Sequence, residues 1–387
     1  MMHRSYDVII IGGGVQGLSL AYNLALRKAG KIAVFDKSYI GSGASGRNGE
    51  MIRSAFGSEE WIRFFDTSLR LWETLSEELD FNVMFTRCGY LVLAATNDEL
   101  VTFRKLTRLQ KALGLDTRLL SQEEVIEWIP AINPKMAAGG ILQPGGGFAR
   151  HDAVVWAYEK AARRMNVRIK PHTEVKDIVI DNNSVTGVMT TAGKISAGMV
   201  VNAAGGHARQ IAAMAGIDLP TDVYRLEMLA TEPLKPFLPG AVSSPHTLSY
   251  MHQTTRGEFV GGAEIEHLKP AKNLRSTGAA IQDMAGKFVR LFPGLGKVNL
   301  MRQWAGIVDM APDASPILGP ATGLESFVLD CGWVYGFVGA PAAGSLLADY
   351  IVSGEIPRNI RPFHINRFKE GRPIRDLSLV VPTKSTP

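Results

Sequence analysis

Three glycines and one aspartate near the start of the chain have the types and spacing that bind a dinucleotide. Gly12, Gly14 and Gly17 follow an apolar run, and Asp36 follows a second apolar run nineteen residues beyond the last glycine. Gly12 permits a tight turn, Gly14 lets the backbone approach a pyrophosphate, and Gly17 lets a helix pack closely on a strand. The carboxylate of Asp36 can accept hydrogen bonds from ribose hydroxyls. The alternative interpretation is a glycine-rich turn in an ordinary α/β protein.

The elements that must hold these residues are a strand, a helix and a second strand, which the apolar pattern predicts over residues 6–36. Residues 200–206 predict another strand that ends in small residues before a helix, and a further helix is predicted after residues 340–344. Segments rich in predicted strands lie between these signals, including a hairpin over residues 81–95 with Gly89 near its turn. A simple two-domain NAD-dependent dehydrogenase would have its glycines in one half of the chain, so this distribution favours a tightly enclosed flavin.

The bulk composition is that of an ordinary globular protein and excludes several classes. Among 387 residues, 46% are hydrophobic and 20% are charged, and the net charge of +5 comes from scattered lysines and arginines. Because there is no dense basic block, we expect no nucleic-acid partner. Two cysteines cannot form a disulfide framework, and no spacing of His, Cys, Asp or Glu predicts a metal site. No apolar run approaches the roughly 20 residues that span a bilayer, and the first strand begins too early for a signal peptide. We therefore expect a cytoplasmic protein without membrane insertion.

Longer stretches resemble a known family of flavoenzymes, the D-amino-acid oxidase type of FAD superfamily, and within it the β subunits of heterotetrameric sarcosine oxidases. The segments that carry the resemblance are residues 12–17, 146–154, 203–206, 302–309, 311–319 and 361–368, with Arg47-Asn48 and residues 82–85. The similarity extends from Tyr6 to about Arg375. The β subunits of proline, hydroxyproline and opine dehydrogenases share the same fold.

The resemblance implies an α/β fold in which a Rossmann-like FAD-binding domain, of the glutathione reductase or D-amino-acid oxidase type, is interleaved with a β-rich α+β substrate domain. The FAD-binding domain is expected to comprise residues 1–80, 145–218 and 320–375. The substrate domain is expected to comprise residues 81–144 and 219–319, and residues 376–387 to form a tail.

The same resemblance implies FAD-dependent oxidation of the C–N bond of a secondary amino acid such as sarcosine, giving an imine that water hydrolyses. The flavin supplies the redox chemistry, and the protein supplies orientation and exclusion of water. Such β subunits act with a larger α subunit and with small subunits, and an FMN lies near the subunit boundary. Opine or proline/hydroxyproline dehydrogenation is the alternative within this class. A non-catalytic FAD-binding subunit for electron transfer or scaffolding is the alternative outside it.

Loop positions and the resemblance together predict the site residues. Contacts with the substrate are expected at Arg53, Tyr250, His252 and Tyr335. Contacts with FAD are expected at Gly12, Gly14, Gly17, Asp36, Lys37, Ser45, Arg47, Asn48, Gly49, Val175, Ala204, Gly205, Asp313, Gly332, Gly336 and Gly339.

One histidine is predicted to lie at the FMN site. In heterotetrameric sarcosine oxidases the histidine of the Ala-Arg-His-Asp motif attaches FMN covalently, and the resemblance carries this role to His151. Related dehydrogenases hold FMN without a covalent bond, so both forms stay open. The alternative is that His151 is an ordinary residue at a helix start, with Asp152 acting as the cap.

Two departures from the family bear on the chemistry. Monomeric sarcosine oxidases attach FAD to a cysteine shortly before the Pro-Asp turn, whereas residues 304–307 contain no cysteine, which excludes covalent FAD by that route. Oxidases of this group carry a lysine in the segment that corresponds to residues 334–340, and this segment contains none. A cation beside the flavin stabilises negative charge on oxygen in a dry site. Its absence favours a dehydrogenase that passes electrons onward, or oxygen reacting at another flavin.

Overall fold

The computed structural model describes residues 5–264, 270–271 and 273–376, so the predicted tail at 376–387 lies outside the described residues except for Asp376. Within them the α-helices are α1 (Val15–Leu26), α2 (Glu59–Glu78), α3 (Asn97–Ala112), α4 (Gln122–Trp128), α5 (His151–Arg164), α6 (Ala208–Met214), α7 (Gly278–Leu291) and α8 (Gly336–Ser353). The strands are β1 (Ser5–Ile11), β2 (Ile32–Phe35), β3 (Met51–Ile52), β4 (Tyr90–Ala94), β5 (Arg118–Ser121), β6 (Gly139–Gln143), β7 (Gly147–Phe148), β8 (Arg168–Lys170), β9 (Val175–Asp181), β10 (Ser184–Thr190), β11 (Gly193–Asn202), β12 (Asp222–Pro233), β13 (Ala241–Ser244), β14 (Ser249–Gln253), β15 (Glu258–Ala263), β16 (Leu300–Met310), β17 (Ile317–Pro320) and β18 (Phe327–Cys331).

The first sheet carries the dinucleotide motif. Its strand order is β17-β18-β11-β1-β2-β8, and β10 pairs with β11 and β9. The pairings from β18 to β8 are parallel, so the carboxyl ends of these strands meet at one edge. Both faces are covered: Ile10 and Val34 pack in the core that includes α1, α5 and α8, while Ile9 and Ala33 pack in a second core beside α6. This burial on both faces explains the continuous apolar runs in the sequence.

The second sheet has the order β16-β12-β15-β14-β13-β4-β6-β5 and is antiparallel except where β13 pairs with β4. One face packs on α7 through residues such as Met251 and Phe288. Its strands all come from residues 81–144 and 219–319. In the first sheet, β17 begins at Ile317, ahead of the boundary predicted at residue 320, and the domain boundaries stay a prediction.

The prediction of a hairpin over residues 81–95 is wrong. Only Tyr90–Ala94 forms a strand there, and this strand pairs with β6 and β13 instead of with its own neighbouring residues. Gly89 has a positive φ of 89° as expected of a turn residue, but its N–H bonds to Gly146. Pairing with strands distant in the sequence therefore overrides the local alternation of apolar and polar residues.

The last helix begins earlier than predicted, at Gly336 instead of after residue 344. Gly344 lies inside α8 where this helix crosses α1, and a Cβ there would overlap Ser19. The Ser19 hydroxyl donates to the carbonyl of Ala340 at 2.8 Å. Gly344 thus permits close helix packing and does not lie at a helix N-terminus.

A buried ion pair fastens the last described segment to the turn before β17. Arg367 is 1% exposed and Asp313 is fully buried. The guanidinium donates to both carboxylate oxygens, Nε to Oδ2 at 2.9 Å and Nη2 to Oδ1 at 3.0 Å. Arg367 also donates to the carbonyls of Ser315 and Phe363, and the N–H of Ile374 donates to Asp313. Every charge in this pair is therefore compensated by hydrogen bonds.

Replacing Arg367 by methionine is expected to lower the free energy of unfolding by about 3–5 kcal/mol, because it leaves the Asp313 carboxylate buried without a partner. Urea unfolding of the purified protein measures this change. Arg372→Met, which removes an exposed partner of Glu370, serves as the matched control and should change stability little. Equal effects from the two substitutions would contradict the assignment.

Candidate functional site

A cavity of about 510 Å³ opens at the edge where the carboxyl ends of the parallel strands meet. Ile11, Phe35 and Asp330 line it from the first sheet, and Leu226 and Tyr250 line it from the second. The predicted site residues in its lining are Gly12, Gly14, Asp36, Lys37, Ser45, Arg47, Asn48, Gly49, Arg53, Val175, Ala204, Gly205, Tyr250, Tyr335 and Gly336. A cleft at this edge is where doubly wound sheets bind their ligands.

One part of the cavity is shaped for a pyrophosphate. Gly12 has a φ of 117°, and a Cβ there would overlap the carbonyl oxygen of Ala203, so only glycine fits. Helix α1 has Gly14 as its N-cap residue, which brings no side chain, and its first turn contains no acidic residue. Gly14, Val15 and Gln16 line the cavity, so the start of α1 and the positive end of its dipole face it, an arrangement that binds phosphate.

The carboxylate of Asp36 is held by two hydrogen bonds beside the cradle, the part of the cavity formed by Gly12, Gly14 and the start of α1. Its Oδ2 accepts from the N–H of Gly13 and its Oδ1 accepts from the N–H of Ser38, both at 2.7 Å. Each carboxylate oxygen has a second lone pair, which can accept from a ribose hydroxyl. Lys37 and Val175 line the cavity at the same end.

The loop after β2 covers the cavity through an internal hydrogen-bond network. Ser45 Oγ accepts from the N–H of Val15 at 2.9 Å, which ties the loop to the start of α1. The Asn48 side chain donates to the carbonyl of Ser45 and accepts from the N–H of Glu50, both at 2.7 Å. Gly49 packs so closely on Tyr250 that a Cβ would lie 2.6 Å from the ring. Asn48 thus shapes the loop, and Gly49 lets it approach the second sheet.

Arg53 is a buried cation in the cavity wall. It is 2% exposed, and its guanidinium carbon lies 4.1, 5.2 and 5.6 Å from the ring centroids of Phe56, Tyr90 and Tyr335. Its Nη1 donates to the carbonyl of Ala55 at 3.2 Å, whereas Nη2 has no hydrogen-bond partner among the described residues. A buried guanidinium with free donors is suited to a carboxylate of a bound molecule.

Two tyrosines predicted to touch substrate also line the cavity. The hydroxyl of Tyr250 lies 3.1 Å from the sulfur of Met228, and burial raises the pKa of Tyr250 well above its usual value. The ring of Tyr335 lies against Phe56 and Trp61, with centroids 5.2 and 5.5 Å away. Tyr250 therefore remains neutral, and both tyrosines supply ring surface to the cavity wall, that of Tyr335 beside Arg53.

His252 does not line the cavity. It is fully buried, stacks on Phe148 at 4.3 Å between centroids, and has Nε2 3.4 Å from Glu50 Oε2. The sequence pattern placed His252 on the same strand as Tyr250, and the two-residue spacing leaves both on one face. The imidazole nevertheless contacts Phe148 and Glu50 and is not part of the cavity lining, so direct contact with substrate is not supported.

His151 lies at the N-terminus of α5, outside the cavity lining, and is held by Glu50. The distance from its Nδ1 to Glu50 Oε1 is 2.6 Å, and its backbone N–H donates to the same oxygen at 3.1 Å. Burial alone would raise the pKa of Glu50, but hydrogen bonds from His151 and His252 hold it well below its usual value. Glu50 also lines the cavity, so one ionised carboxylate joins the cavity wall to His151.

The structure places four predicted cofactor contacts away from the cavity. Asp313 is enclosed by Arg367, as described above, and Gly332 lies behind the wall with its N–H bonded to Asp309. A Cβ on Gly339 would lie 2.8 Å from the ring of Trp333, and one on Gly17 would overlap the carbonyl of Gly12. These residues permit close packing around the site, and direct contact with a cofactor is not supported by their placement.

Four buried acidic residues in the cavity lining were not predicted from the sequence: Glu50, Glu264, Asp309 and Asp330. Burial raises the pKa of Glu264 to about 8, of Asp309 to about 6 and of Asp330 to about 7. Asp309 accepts from the N–H of Gly332, and Asp330 accepts from Trp333 Nε1 at 2.7 Å. A single acidic residue at a strand end belongs to no motif with a recognisable spacing, so the sequence does not distinguish it from other acidic residues. Only Glu50, next to the predicted loop, had a positional signal.

In the part of the chain that the structure describes, no group of three or more His, Cys, Asp or Glu side chains is arranged to hold a metal ion. In the same part, no helix has the length and apolar character needed to cross a membrane.

Comparisons with known proteins agree with this geometry. The model of a family described as "DAO: FAD dependent oxidoreductase" matches residues 7–350. The chain is 37% identical to the sarcosine oxidase subunit beta of Arthrobacter sp., over 95% of this chain and 92% of that protein. Its fold is similar to that of L-proline dehydrogenase from P. horikoshii, with a TM-score of 0.91 and 31% identity over 96% of this chain and 99% of that chain. It is also similar to glycine oxidase from Geobacillus kaustophilus, with a TM-score of 0.87 and 25% identity over 94% and 99% of the two chains.

Proposed function

The chain belongs to the DAO family of FAD-dependent oxidoreductases, and from this premise we propose that it oxidises the C–N bond of a secondary amino acid such as sarcosine, as the catalytic β subunit of a multi-subunit complex. The observation that carries the substrate class is Arg53, whose buried guanidinium has an unengaged Nη2 in the cavity wall. A carboxylate-bearing substrate satisfies this donor, and a substrate without a carboxylate leaves it unpaired.

The residues around the cavity have distinct tasks. Gly12, Gly14 and Asp36 hold the pyrophosphate and ribose, and Arg53 holds the substrate carboxylate. When bound, FAD supplies the acceptor for the hydride equivalent that leaves the carbon beside the substrate nitrogen, and water hydrolyses the resulting imine. The apolar rings around Arg53 exclude water during transfer, which strengthens the contact between guanidinium and carboxylate.

The proposal is tested by the absorbance spectrum of the purified protein, with any co-purified subunits, under anaerobic conditions. Sarcosine, L-proline, hydroxyproline and opines are added in turn. Bleaching of the bound flavin by one of them supports amine oxidation and identifies the substrate class. A flavin that stays oxidised with every compound favours the non-catalytic FAD-binding subunit instead.

L-Proline dehydrogenation is the second candidate because the L-proline dehydrogenase of P. horikoshii has so similar a fold. Segment 334–338 brings no cation to the cavity, which favours transfer of electrons to an acceptor other than oxygen at this site. Admitting oxygen or an artificial dye to the bleached protein compares the two acceptors. Rapid reoxidation by oxygen with FAD as the sole flavin would contradict the dehydrogenase interpretation.

We further propose that FMN binds beside His151, at a boundary with a larger subunit. In the neutral ring, Nδ1 donates its proton to the Glu50 carboxylate, so Nε2 on the opposite side of the ring is the basic nitrogen. A basic nitrogen on this partly exposed side chain would suit covalent attachment to a methyl carbon of oxidised FMN. In that step a methyl C–H bond would be replaced by a C–N bond, the proton would leave to solvent, and the two electrons would stay on the flavin until an acceptor removes them. The name of the Arthrobacter relative, a subunit beta, supports a partner chain.

His151→Asn is expected to abolish covalently bound FMN while FAD content stays unchanged. The measurement is flavin fluorescence of the denatured chain on a gel, with free flavins separated by chromatography. His246→Asn is the matched control, since His246 also has Nδ1 near a glutamate, Glu99 at 3.0 Å, but lies on the exposed surface. If wild-type FMN is released by acid, attachment is non-covalent, and lower FMN occupancy in His151→Asn is then the expected result. Undiminished FMN would overturn the assignment.

A further inference from the structure

A buried guanidinium and a buried carboxyl group line the cavity without pairing to each other. Arg53 is 2% exposed and Glu264 is 1% exposed. Neither forms an ion pair within 4 Å among the described residues, and both oxygens of the Glu264 carboxylate lack a hydrogen-bond partner there. A buried carboxylate without a partner is costly to a folded protein. Its retention beside a binding cavity indicates that a bound molecule supplies the missing donor.

The described surroundings of Glu264 bond to its backbone and leave its carboxyl group without a hydrogen-bond partner. It directly follows β15, and its backbone N–H donates to the carbonyl of Leu248 at 2.9 Å. The ammonium of Lys287, on α7, donates to the backbone carbonyl of Glu264 and pairs with Asp283 at 2.8 Å. Among the described residues, the cation whose charge acts on Glu264 is Lys287, and it engages the backbone and another acid without bonding to the Glu264 carboxylate.

We propose that Glu264 binds the protonated amine of the substrate and accepts its proton, while Arg53 binds the carboxylate. The inference rests on the proposed function and names the required form of the substrate, a zwitterion. A guanidinium and a carboxylate that line one cavity without neutralising each other are complementary to the two charges of an amino acid.

Proton transfer from the substrate ammonium to Glu264 exchanges one bond to hydrogen for another. An N–H bond of the substrate ammonium breaks, its electron pair stays on nitrogen, and the proton forms an O–H bond with a carboxylate oxygen of Glu264. The amine becomes neutral and Glu264 becomes a neutral carboxylic acid. A nitrogen lone pair is needed to form the imine C=N bond, so this transfer must precede or accompany hydride loss.

Titration of Glu264 gives the transfer a pH dependence. Burial raises the pKa of Glu264 to about 8, with Lys287 opposing the shift. Among the described residues, the other ionisable groups in this region are Asp283, Tyr250, Tyr335 and Tyr90, with Arg53 in the lining of the same cavity. Below the pKa, the free protein carries a neutral Glu264, so binding an ammonium releases one proton. Affinity for the zwitterion should therefore rise about tenfold per pH unit up to about pH 8 and then level off.

The test compares amino acids with their ether analogues, which carry the carboxylate but no amine. Sarcosine is paired with methoxyacetate, and L-proline with tetrahydrofuran-2-carboxylate. Dissociation constants are measured from the change in the flavin absorbance spectrum of the FAD-loaded protein. Glu264→Gln should weaken binding of the amino acids about tenfold or more, leave the ethers bound equally well or better, and remove the pH dependence. Glu258→Gln, at the other end of β15, is the matched control.

The outcomes separate this inference from the proposed function. If an amino acid bleaches the wild-type flavin but Glu264→Gln leaves the ratio of amino-acid to ether affinity unchanged, the role of Glu264 is overturned and the function stands. If no amino acid bleaches the flavin but the ratio depends on Glu264, zwitterion recognition stands and the oxidation is overturned. A wild-type protein that binds neither member of a pair overturns both. Unchanged FAD content in Glu264→Gln shows that the variant is folded.

Discussion

Replacing Arg53 by methionine is expected to lower kcat/KM for the amino-acid substrate by about a thousandfold, which corresponds to about 4 kcal/mol of lost interaction. Methionine keeps the apolar contacts with Phe56 and Tyr335 but removes the buried charge that lies 4.1 Å from the Phe56 ring centroid. Steady-state kinetics on the FAD-loaded complex measures the change. Most of the loss should be seen in KM if Arg53 acts mainly by holding the carboxylate.

Two further variants make this result specific. Arg53→Lys should recover only part of the activity, because an ammonium is a point charge and cannot form two parallel hydrogen bonds with a carboxylate. Arg63→Met is the matched control on α2, where Arg63 pairs with Glu59 in solvent. A kcat/KM for Arg53→Met within threefold of wild type would exclude Arg53 as the carboxylate anchor.

Replacing Gly12 by alanine is expected to yield a protein that purifies without FAD. The added Cβ would overlap the carbonyl oxygen of Ala203 and lie 2.8 Å from its carbonyl carbon, and the φ of 117° is strained for any L side chain. The turn between β1 and α1 must then shift, which moves the N–H groups that face the pyrophosphate. The ratio of absorbance at the flavin and protein bands measures FAD content.

A second substitution separates loss of FAD from loss of folding. Gly14 has a φ of −81° that alanine tolerates, and its added Cβ would lie 2.9 Å from Ser45 Oγ, at the cavity lining. Gly14→Ala should fold and bind FAD about tenfold or more weakly. Gly286→Ala is the matched control within α7, since a Cβ there meets nothing within 4 Å. Full FAD content in both Gly12→Ala and Gly14→Ala would contradict the assignment of this turn as the pyrophosphate site.

The parts of the fold that the sequence predicted are those set by local pattern. The strand, turn and helix around Gly12 follow from apolar periodicity and from glycines that permit one backbone geometry. The error over residues 81–95 has a different origin, because the partners of β4 lie in β6 and β13, and alternation alone does not specify a partner. The start of α8 was predicted too late because Gly344 was interpreted as a glycine at a helix start. In the structure it lies within α8 and permits close packing against α1.

The sequence predicts site residues that belong to a recognisable motif. It does not predict a residue whose role depends on the surroundings of one side chain in the folded protein. Asp36 was predicted from its spacing from the glycine motif and Arg53 from its position in the loop after the second strand, and both line the cavity. Glu264 stands alone after β15, and its importance depends on burial and on lacking a partner, which only the folded chain reveals. Asp313 was misjudged because its partner, Arg367, is distant in sequence.

The Arg367–Asp313 pair has a consequence for synthesis on the ribosome. Asp313 emerges well before Arg367, and until the later residue arrives its carboxylate has no cation to enter the interior with. The nascent chain therefore has to keep this turn open, or close it around an uncompensated charge. A product released before Arg367 is made would be poorly closed and an early target for proteolysis. Closure of the turn around Asp313 therefore depends on synthesis of the chain through Arg367.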